Sequence, residues 1–276
     1  MVTMKPELIT ADCLDWMCQR PDDSVDLVFG SPPYEDARTY GIDFRLKGQD
    51  WVDWMVPCVI EALRICRGLV AFVVEGKTRD YRWSATPVLL MADLHRAGVH
   101  LRKPPVFHRV GIPGSGGPDW LRNDYEFIVC AASGGELPWS DNTAMGSPCV
   151  HPPGGSPSHR TTATSGMKDG DTRVKAVYSP PKIANPGNVI KCLVGGGLMG
   201  HPLAHENEAP FPLSLAEFFV RSFCPPGGTV LDPFSGSGTT GHAALGYGRK
   251  YIGIDCRESQ KKLAERRLAE VQTMIA

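Results

Sequence analysis

Thr229-Val230-Leu231-Asp232-Pro233-Phe234-Ser235-Gly236-Ser237-Gly238-Thr239 reads as a short apolar strand, a glycine-rich turn and the start of a helix. Gly236 and Gly238 let the backbone approach a ligand closely and adopt dihedral angles closed to other residues. The helix continues to Leu245, and Tyr251-Ile252-Gly253-Ile254 follows as a second strand that ends at Asp255. A carboxylate at that position can accept hydrogen bonds from both hydroxyls of a ribose. Gly236-x-Gly238-x-x-Gly241 also satisfies a dinucleotide fingerprint by its letters. Only 21 residues follow Asp255, fewer than the further βα units of a dinucleotide fold need. The sheet is therefore expected to be completed by strands that come earlier in the chain.

Working outward, those strands are visible. Val25 to Phe29 and Leu69 to Val74 are apolar runs, and Phe127 to Ala131 is strand-like. Helix-period stretches alternate with them: Leu14 to Cys18, Trp51 to Cys66, Ser84 to Ala97, Leu213 to Phe223 and Glu258 to Met274. Alternation of this kind implies an α/β fold, a mostly parallel sheet with helices on both faces. From Ser133 to about Gly170 the rhythm breaks into seven glycines and five prolines with almost no apolar periodicity. A loop of that length inside a compact domain has a function of its own or is disordered. Order returns through Val177-Tyr178 and Val189-Ile190.

Directly after the first of these strands stands Ser31-Pro32-Pro33-Tyr34. An exocyclic amine on cytosine or adenine is a poor nucleophile, because its lone pair is delocalised into the ring. To attack a sulfonium methyl its nitrogen must become more tetrahedral, and two acceptors on its N–H bonds favour that geometry. The Ser31 side chain and the Pro32 carbonyl are suited to this, and the prolines stiffen the backbone that aims them. Tyr34 can stack on a base that has left the double helix. Alignment of nitrogen, methyl and sulfur then supplies rate by positioning, without a metal or a base. An isolated Pro-Pro is ordinarily a turn; its place after a buried strand, in a chain that also holds the cofactor turn, gives it chemical meaning.

Net charge is −1, but the charge is unevenly spread. Residues 77–109 carry seven basic and two acidic side chains, which makes a phosphate-facing surface there as plausible as a solvated one. The basic stretch at 249–267 reads as a solvated amphipathic helix. Nine scattered cysteines without a C-x-x-C pattern suggest buried thiols and no metal site. No apolar run approaches bilayer length, and the first residues include Lys5, Glu7 and Asp12, so a cytoplasmic, nucleoid-associated protein without membrane contact is expected.

In combination these residues resemble the DNA amino-methyltransferases of the β class, in which the catalytic tetrapeptide precedes the target-recognition region and the cofactor motif comes last. The resemblance covers about residues 8–131 and 200–270. It implies a Rossmann-like class I adenosylmethionine-dependent methyltransferase with permuted motif order and an irregular inserted target-recognition region. Residues 1–132 would be the catalytic half, 133–200 the insertion and 201–276 the cofactor-binding half of the same domain. Ser31, Pro32, Pro33 and Tyr34 match the catalytic motif. S-adenosyl-L-methionine, leaving as S-adenosyl-L-homocysteine, would be held by Asp232, Pro233, Phe234, Ser235, Gly236, Ser237, Gly238 and Thr239. Asp255 resembles the ribose-binding acid, and Asp12 with Cys13 the segment that contacts the adenine. Phe211 and Pro212 resemble the segment that packs on the methionine end. Double-stranded DNA is the implied partner, with Arg102, Lys103, Arg109, Arg160, Arg173 and Lys175 as candidate contacts, and many relatives pair as homodimers. Serine in the first catalytic position favours N4 of cytosine over N6 of adenine. Two readings from other classes stay open at this point: a DNA-binding module that keeps the fold without catalysis, and a nicotinamide oxidoreductase.

Overall fold

The computed structural model describes residues 5–36, 44–112, 116–149, 181–195, 199–207 and 209–275. Described residues of Met1–Asp141 and Asn188–Ala276 form one compact unit, and those of Asn142–Gly187 a second. The first unit begins with β1 (Glu7–Thr10), α1 (Cys13–Cys18), β2 (Val25–Gly30), α2 (Gln49–Ile65) and β3 (Cys66–Val74). A small hairpin, β4 (Thr78–Arg79) and β5 (Arg82–Trp83), leads to α3 (Thr86–Arg96), β6 (His100–Leu101), β7 (Val106–Val110) and β8 (Tyr125–Ala132). In the second unit β9 (Ser147–Pro148) and β10 (Ile183–Ala184) pair antiparallel. The first unit resumes with β11 (Val189–Leu193), a 3-10 turn at Pro202–Glu206, α4 (Leu213–Phe223), β12 (Thr229–Asp232), α5 (Thr239–Gly246), β13 (Lys250–Asp255) and α6 (Glu258–Ile275).

Among the described residues nine strands make one sheet in the order β1-β13-β12-β2-β3-β8-β7-β11, with β6 pairing beside β8. β8 is antiparallel to β3, β7 and β6, while the other pairings are parallel. Successive side chains of a strand point to opposite faces, and the core divides accordingly. Leu27, Phe29, Leu69, Ala71, Val73 and Val230 pack with Phe219, Ala243 and Leu268 of α4, α5 and α6. Val28, Val70, Phe72, Val74 and Leu231 pack with Trp16, Trp51 and Leu90 of α1, α2 and α3. Apolar residues without alternation are what a sheet covered on both faces requires.

Two parts differ from the sequence expectation. Val189–Leu193 lies within the stretch expected as an insertion, yet it pairs with β7 in the large sheet. Its alternating burial, with Ile190 and Cys192 inside and Val189, Lys191 and Leu193 outside, fits an edge strand covered on one face. Val106–Val110 was not expected as a strand, because it interrupts its apolar residues with His108 and Arg109. Val177-Tyr178 lies outside the described residues.

The order of the strands brings the two motifs together. β12 lies beside β2 in parallel, with Leu231 opposite Val28. Both strands therefore deliver their following loops to the same edge of the sheet. The chain leaves β2 for α2 on one face and leaves β12 for α5 on the other. Diverging connections of this kind open a crevice at the carboxyl ends of the strands.

Candidate active site

That crevice is a cavity of about 670 Å³, lined by Ser31 to Tyr34 on one side and by Pro233 to Gly236, Thr239 and Asp255 on the other. Asp12, Cys13, Phe211 and Pro212 also face it.

The cofactor side is built from backbone turns. Asp232 ends β12 with its side chain buried, and its Oδ1 accepts from the Phe234 amide at 3.0 Å. Burial raises its carboxyl to about 7. The Ser235 amide donates to the Ile254 carbonyl at 2.8 Å, and its hydroxyl meets that of Tyr251 at 2.8 Å. Gly236 and Gly238 hold φ of 48° and 78°, the left-handed region glycine tolerates. The Gly236 amide donates to Asp255 Oδ2 at 3.1 Å, which ties the turn to the end of β13. Oδ1 of Asp255 accepts from the Arg257 amide at 2.9 Å. Asp12 sits alongside, because Thr10 pairs with Asp255. Its Oδ1 caps α1 by accepting from Leu14 and Asp15 at 2.8 and 3.1 Å. Asp232, Ser237 and Gly238 stand behind the wall and do not line the cavity. Beneath them the wholly buried Arg267 donates to Thr239 Oγ1 at 2.8 Å and Ser237 Oγ at 3.3 Å.

The tetrapeptide side is fixed from several directions. Ser31 Oγ donates to the Val73 carbonyl at 3.1 Å, the shorter of two contacts, the other being Tyr34 Oη at 3.5 Å. A hydroxyl whose proton is committed in this way presents its lone pairs, so Ser31 can act as an acceptor toward the cavity. Trp51 Nε1 donates to the Pro33 carbonyl at 2.8 Å, and this holds the rigid Pro-Pro segment against α2. Tyr34 Oη donates to Glu126 Oε2 at 2.6 Å, and Arg109 reaches Glu126 Oε1 at 3.1 Å. Burial, then the Glu126 charge, pushes the Tyr34 hydroxyl well above its usual range, which keeps it a neutral donor. Burial also raises the Glu126 carboxyl, against the pull of Arg109. Glu35, immediately after the tetrapeptide, accepts from the Gly48 and Lys77 amides at 2.8 and 2.9 Å and pins the loop exit.

The expected DNA contacts fare differently. Arg109 is brought to the cavity, where it pairs with Glu126. Arg102 and Lys103 are not. Arg102 follows β6 alongside the carboxyl end of β8, and its guanidinium donates to the Gly135 carbonyl, at the other end of the sheet from the cavity. Arg160, Arg173 and Lys175 lie outside the described residues. Sequence reasoning missed Trp54, Phe107, Glu126 and Arg257, which also line the cavity. Glu126 carried one signal, an acidic residue at the head of a strand that is otherwise apolar.

With this geometry in view, comparison with known proteins is decisive at the family level. Residues 25–266 match the DNA methylase family of N6/N4 methyltransferases. The chain belongs to that family. It is 25% identical over 268 residues to the DNA adenine methyltransferase YhdJ of Escherichia coli K12, covering 95% of this chain and 82% of that one. It is 32% identical over 121 residues to the type II methyltransferase M2.DpnII of Streptococcus pneumoniae, 42% of this chain and 45% of the relative. Among solved structures, the cytosine-N4-specific PvuII DNA methyltransferase superposes with a TM-score of 0.68 at 18% identity, covering 99% and 93% of the two chains. M1.HpyAVI in its SAM complex gives 0.54 at 18% identity, covering 96% and 100%. These likenesses place this DNA methylase in the α/β methyltransferase fold, with the tetrapeptide before the glycine turn.

Proposed function

We propose that this methylase transfers a methyl group from S-adenosylmethionine to the exocyclic amino group of a flipped DNA base, with N4 of cytosine preferred. The observation that carries the reading is the Ser31 hydroxyl, committed as donor to Val73 and therefore an acceptor at the wall of a cavity shared with the glycine turn.

The residues present suit the cofactor. A Cβ on Gly236 would meet Asn207 Nδ2 at 2.8 Å, so the turn approaches its surroundings as closely as a backbone cradle must. Asp255 keeps lone pairs beyond those taken by Gly236 and Arg257 and is assigned the ribose hydroxyls. Asp12 and Cys13 are assigned the adenine end, and Phe211 and Pro212 the methionine end. Phe234 stands among Trp54 and Phe72, with ring centroids 5.9 and 5.8 Å away, and offers a firm apolar wall. When bound, S-adenosylmethionine supplies an electrophilic methyl on a positively charged sulfur.

The chain's own task is to present the amine. Ser31 Oγ and the Pro32 carbonyl accept its two N–H bonds, which draws the nitrogen lone pair out of conjugation and toward the cofactor side. Tyr34 packs its ring on the base while Glu126 fixes its hydroxyl. The neutral amine needs no prior deprotonation; as the N–CH3 bond forms and the S–CH3 bond breaks with its electron pair left on sulfur, the nitrogen becomes cationic and releases one proton to solvent. Positioning of this kind supplies a large part of the barrier reduction. Target reading is assigned to the part of 133–200 that precedes β11, where the described residues of Asn142–Gly187 form the second unit.

Single-molecule sequencing of DNA from cells that express the protein tests the reading. N4-methylcytosine in a fixed context, absent with Ser31→Ala, is expected. N6-methyladenine would overturn the base preference, and unmodified DNA would overturn the activity.

A further inference from the structure

Exposed aromatic side chains gather at one place outside the cavity. The two residues that join β4 to β5, Asp80 and Tyr81, both have positive φ, 48° and 62°. Two-residue hairpin turns of this geometry are normally filled by Asn-Gly or Asp-Gly. A bulky residue in the left-handed region is strained, and strain of this kind persists where it serves a purpose. Burial does not explain it here, since Tyr81 is 71% exposed. Its ring instead meets that of Trp120 edge-on, with centroids 5.5 Å apart. Trp120 is 42% exposed, and Leu121 beside it is 91% exposed.

This patch adjoins the tetrapeptide edge of the sheet. Val74, at the end of β3, pairs with Phe127, and the hairpin follows four residues later. Trp83 of the hairpin stacks on Phe127, next in sequence to Glu126, and donates from Nε1 to Glu75 Oε1 at 3.3 Å. Cations are interleaved with the rings. Arg82 is exposed and has no ion-pair partner among the described residues, while Arg122, exposed beside Leu121, pairs with Asp124 at 3.5 Å. Arg79 is also exposed but is paired with Asp36.

We propose that the Tyr81 hairpin tip, with Trp120 and Leu121, is a wedge that stacks on DNA bases next to the one drawn into the cavity. The inference rests on the methyl-transfer reading. A base that leaves the duplex exposes the faces of its neighbours, and aromatic or apolar side chains commonly fill such gaps. Arg82 is placed to meet a flanking phosphate, while Asp80 and Asp119, also exposed beside the rings, confine the contact to the bases on either side. A rigid, strained tip loses little freedom when it inserts.

Tyr81→Gly separates function from folding, because glycine relieves the strain. The full chain carrying Tyr81→Gly is expected to melt no lower than the native protein and to bind S-adenosylhomocysteine equally. Its affinity for unmethylated random-sequence duplex DNA, read by fluorescence anisotropy, should fall about tenfold, the effect of losing one stacked base. Methyl incorporation into genomic DNA should fall in parallel, while Tyr81→Phe stays within about twofold of native. If Tyr81→Gly leaves both readouts unchanged while the native protein methylates DNA, the wedge is refuted and the methyl-transfer reading stands. If the native protein transfers no methyl but Tyr81→Gly still weakens DNA binding, the wedge stands as a DNA contact and the activity is refuted. Loss of self-association with DNA affinity intact would reassign the patch to a second copy of this chain and overturn the proposal.

Discussion

Gly30→Ala probes the join between the two halves of the site. Gly30 is the last residue of β2, directly before Ser31, and a Cβ there would stand 2.3 Å from Asp232 Oδ1. Ordinary C···O contact begins near 3.3 Å, so about 1 Å must be found. Asp232 cannot swing away, being 1% exposed and held through the same oxygen by the Phe234 amide at 3.0 Å. Overpacking costs about 1–3 kcal/mol, and loss of that hydrogen bond adds about 1 kcal/mol. For a domain of this size the melting temperature should fall by roughly 5–15 °C. Whichever strand yields, either Ser31 or Phe234 moves, and a 1 Å displacement of aligned groups costs on the order of 100-fold in rate. Calorimetric melting, S-adenosylhomocysteine titration and methyl incorporation read the three effects. Gly246→Ala, at the end of α5 with open space around the added carbon, is the matched control and should be neutral. A Gly30→Ala protein that melts within about 1 °C of native and binds the product equally would show that the two strand ends are not packed as described.

Three further outcomes are expected. Tyr34→Phe keeps the ring and deletes the bond to Glu126; kcat should drop about tenfold, as loss of a hydrogen bond to a charged group implies, with KM for DNA little changed, and an unchanged kcat would remove Glu126 as a positioning residue. Asp255→Ala should weaken S-adenosylhomocysteine binding at least about tenfold through lost charge-assisted bonds and leave DNA anisotropy titrations intact; equal losses would contradict separate subsites. Burial raises both Asp232 and Glu75 to about 7 from 3.8 and 4.5. Between those values the folded state keeps protons that the unfolded state has released, so the contribution of these two groups to stability is greatest below about pH 4 and declines toward pH 7. Asp232→Asn should flatten that decline, leaving the part due to Glu75, and a melting-versus-pH curve parallel to native would contradict the assignment.

How far the sequence carried depended on whether a signal was local. Glycines at 236 and 238 announce a turn because few other residues take its dihedral angles. Leu69 to Val74 of β3 is legible as an unbroken apolar run because both faces are buried there. β7 was not legible, since it lies near the sheet edge and His108 and Arg109 interrupt its apolar residues. Arg102, Lys103 and Arg109 looked alike as members of one basic stretch. Only the register of β6, β7 and β8 sends Arg109 to Glu126 and turns Arg102 toward Gly135.

The chain by itself determined the fold class, the two motifs and their order, because each is written in contiguous residues whose backbone preferences are strong. Tertiary structure decided what those motifs share. Pairing of β12 with β2 joins residues about two hundred positions apart, and only that pairing makes one cavity of them. It also decided the protonation and aim of the site's groups. Ser31 can present its lone pairs to the cavity because its O–H donates to the Val73 carbonyl, and Tyr34 is anchored because Glu126 lies behind it. Neither partner is near in sequence, so no local pattern announces them.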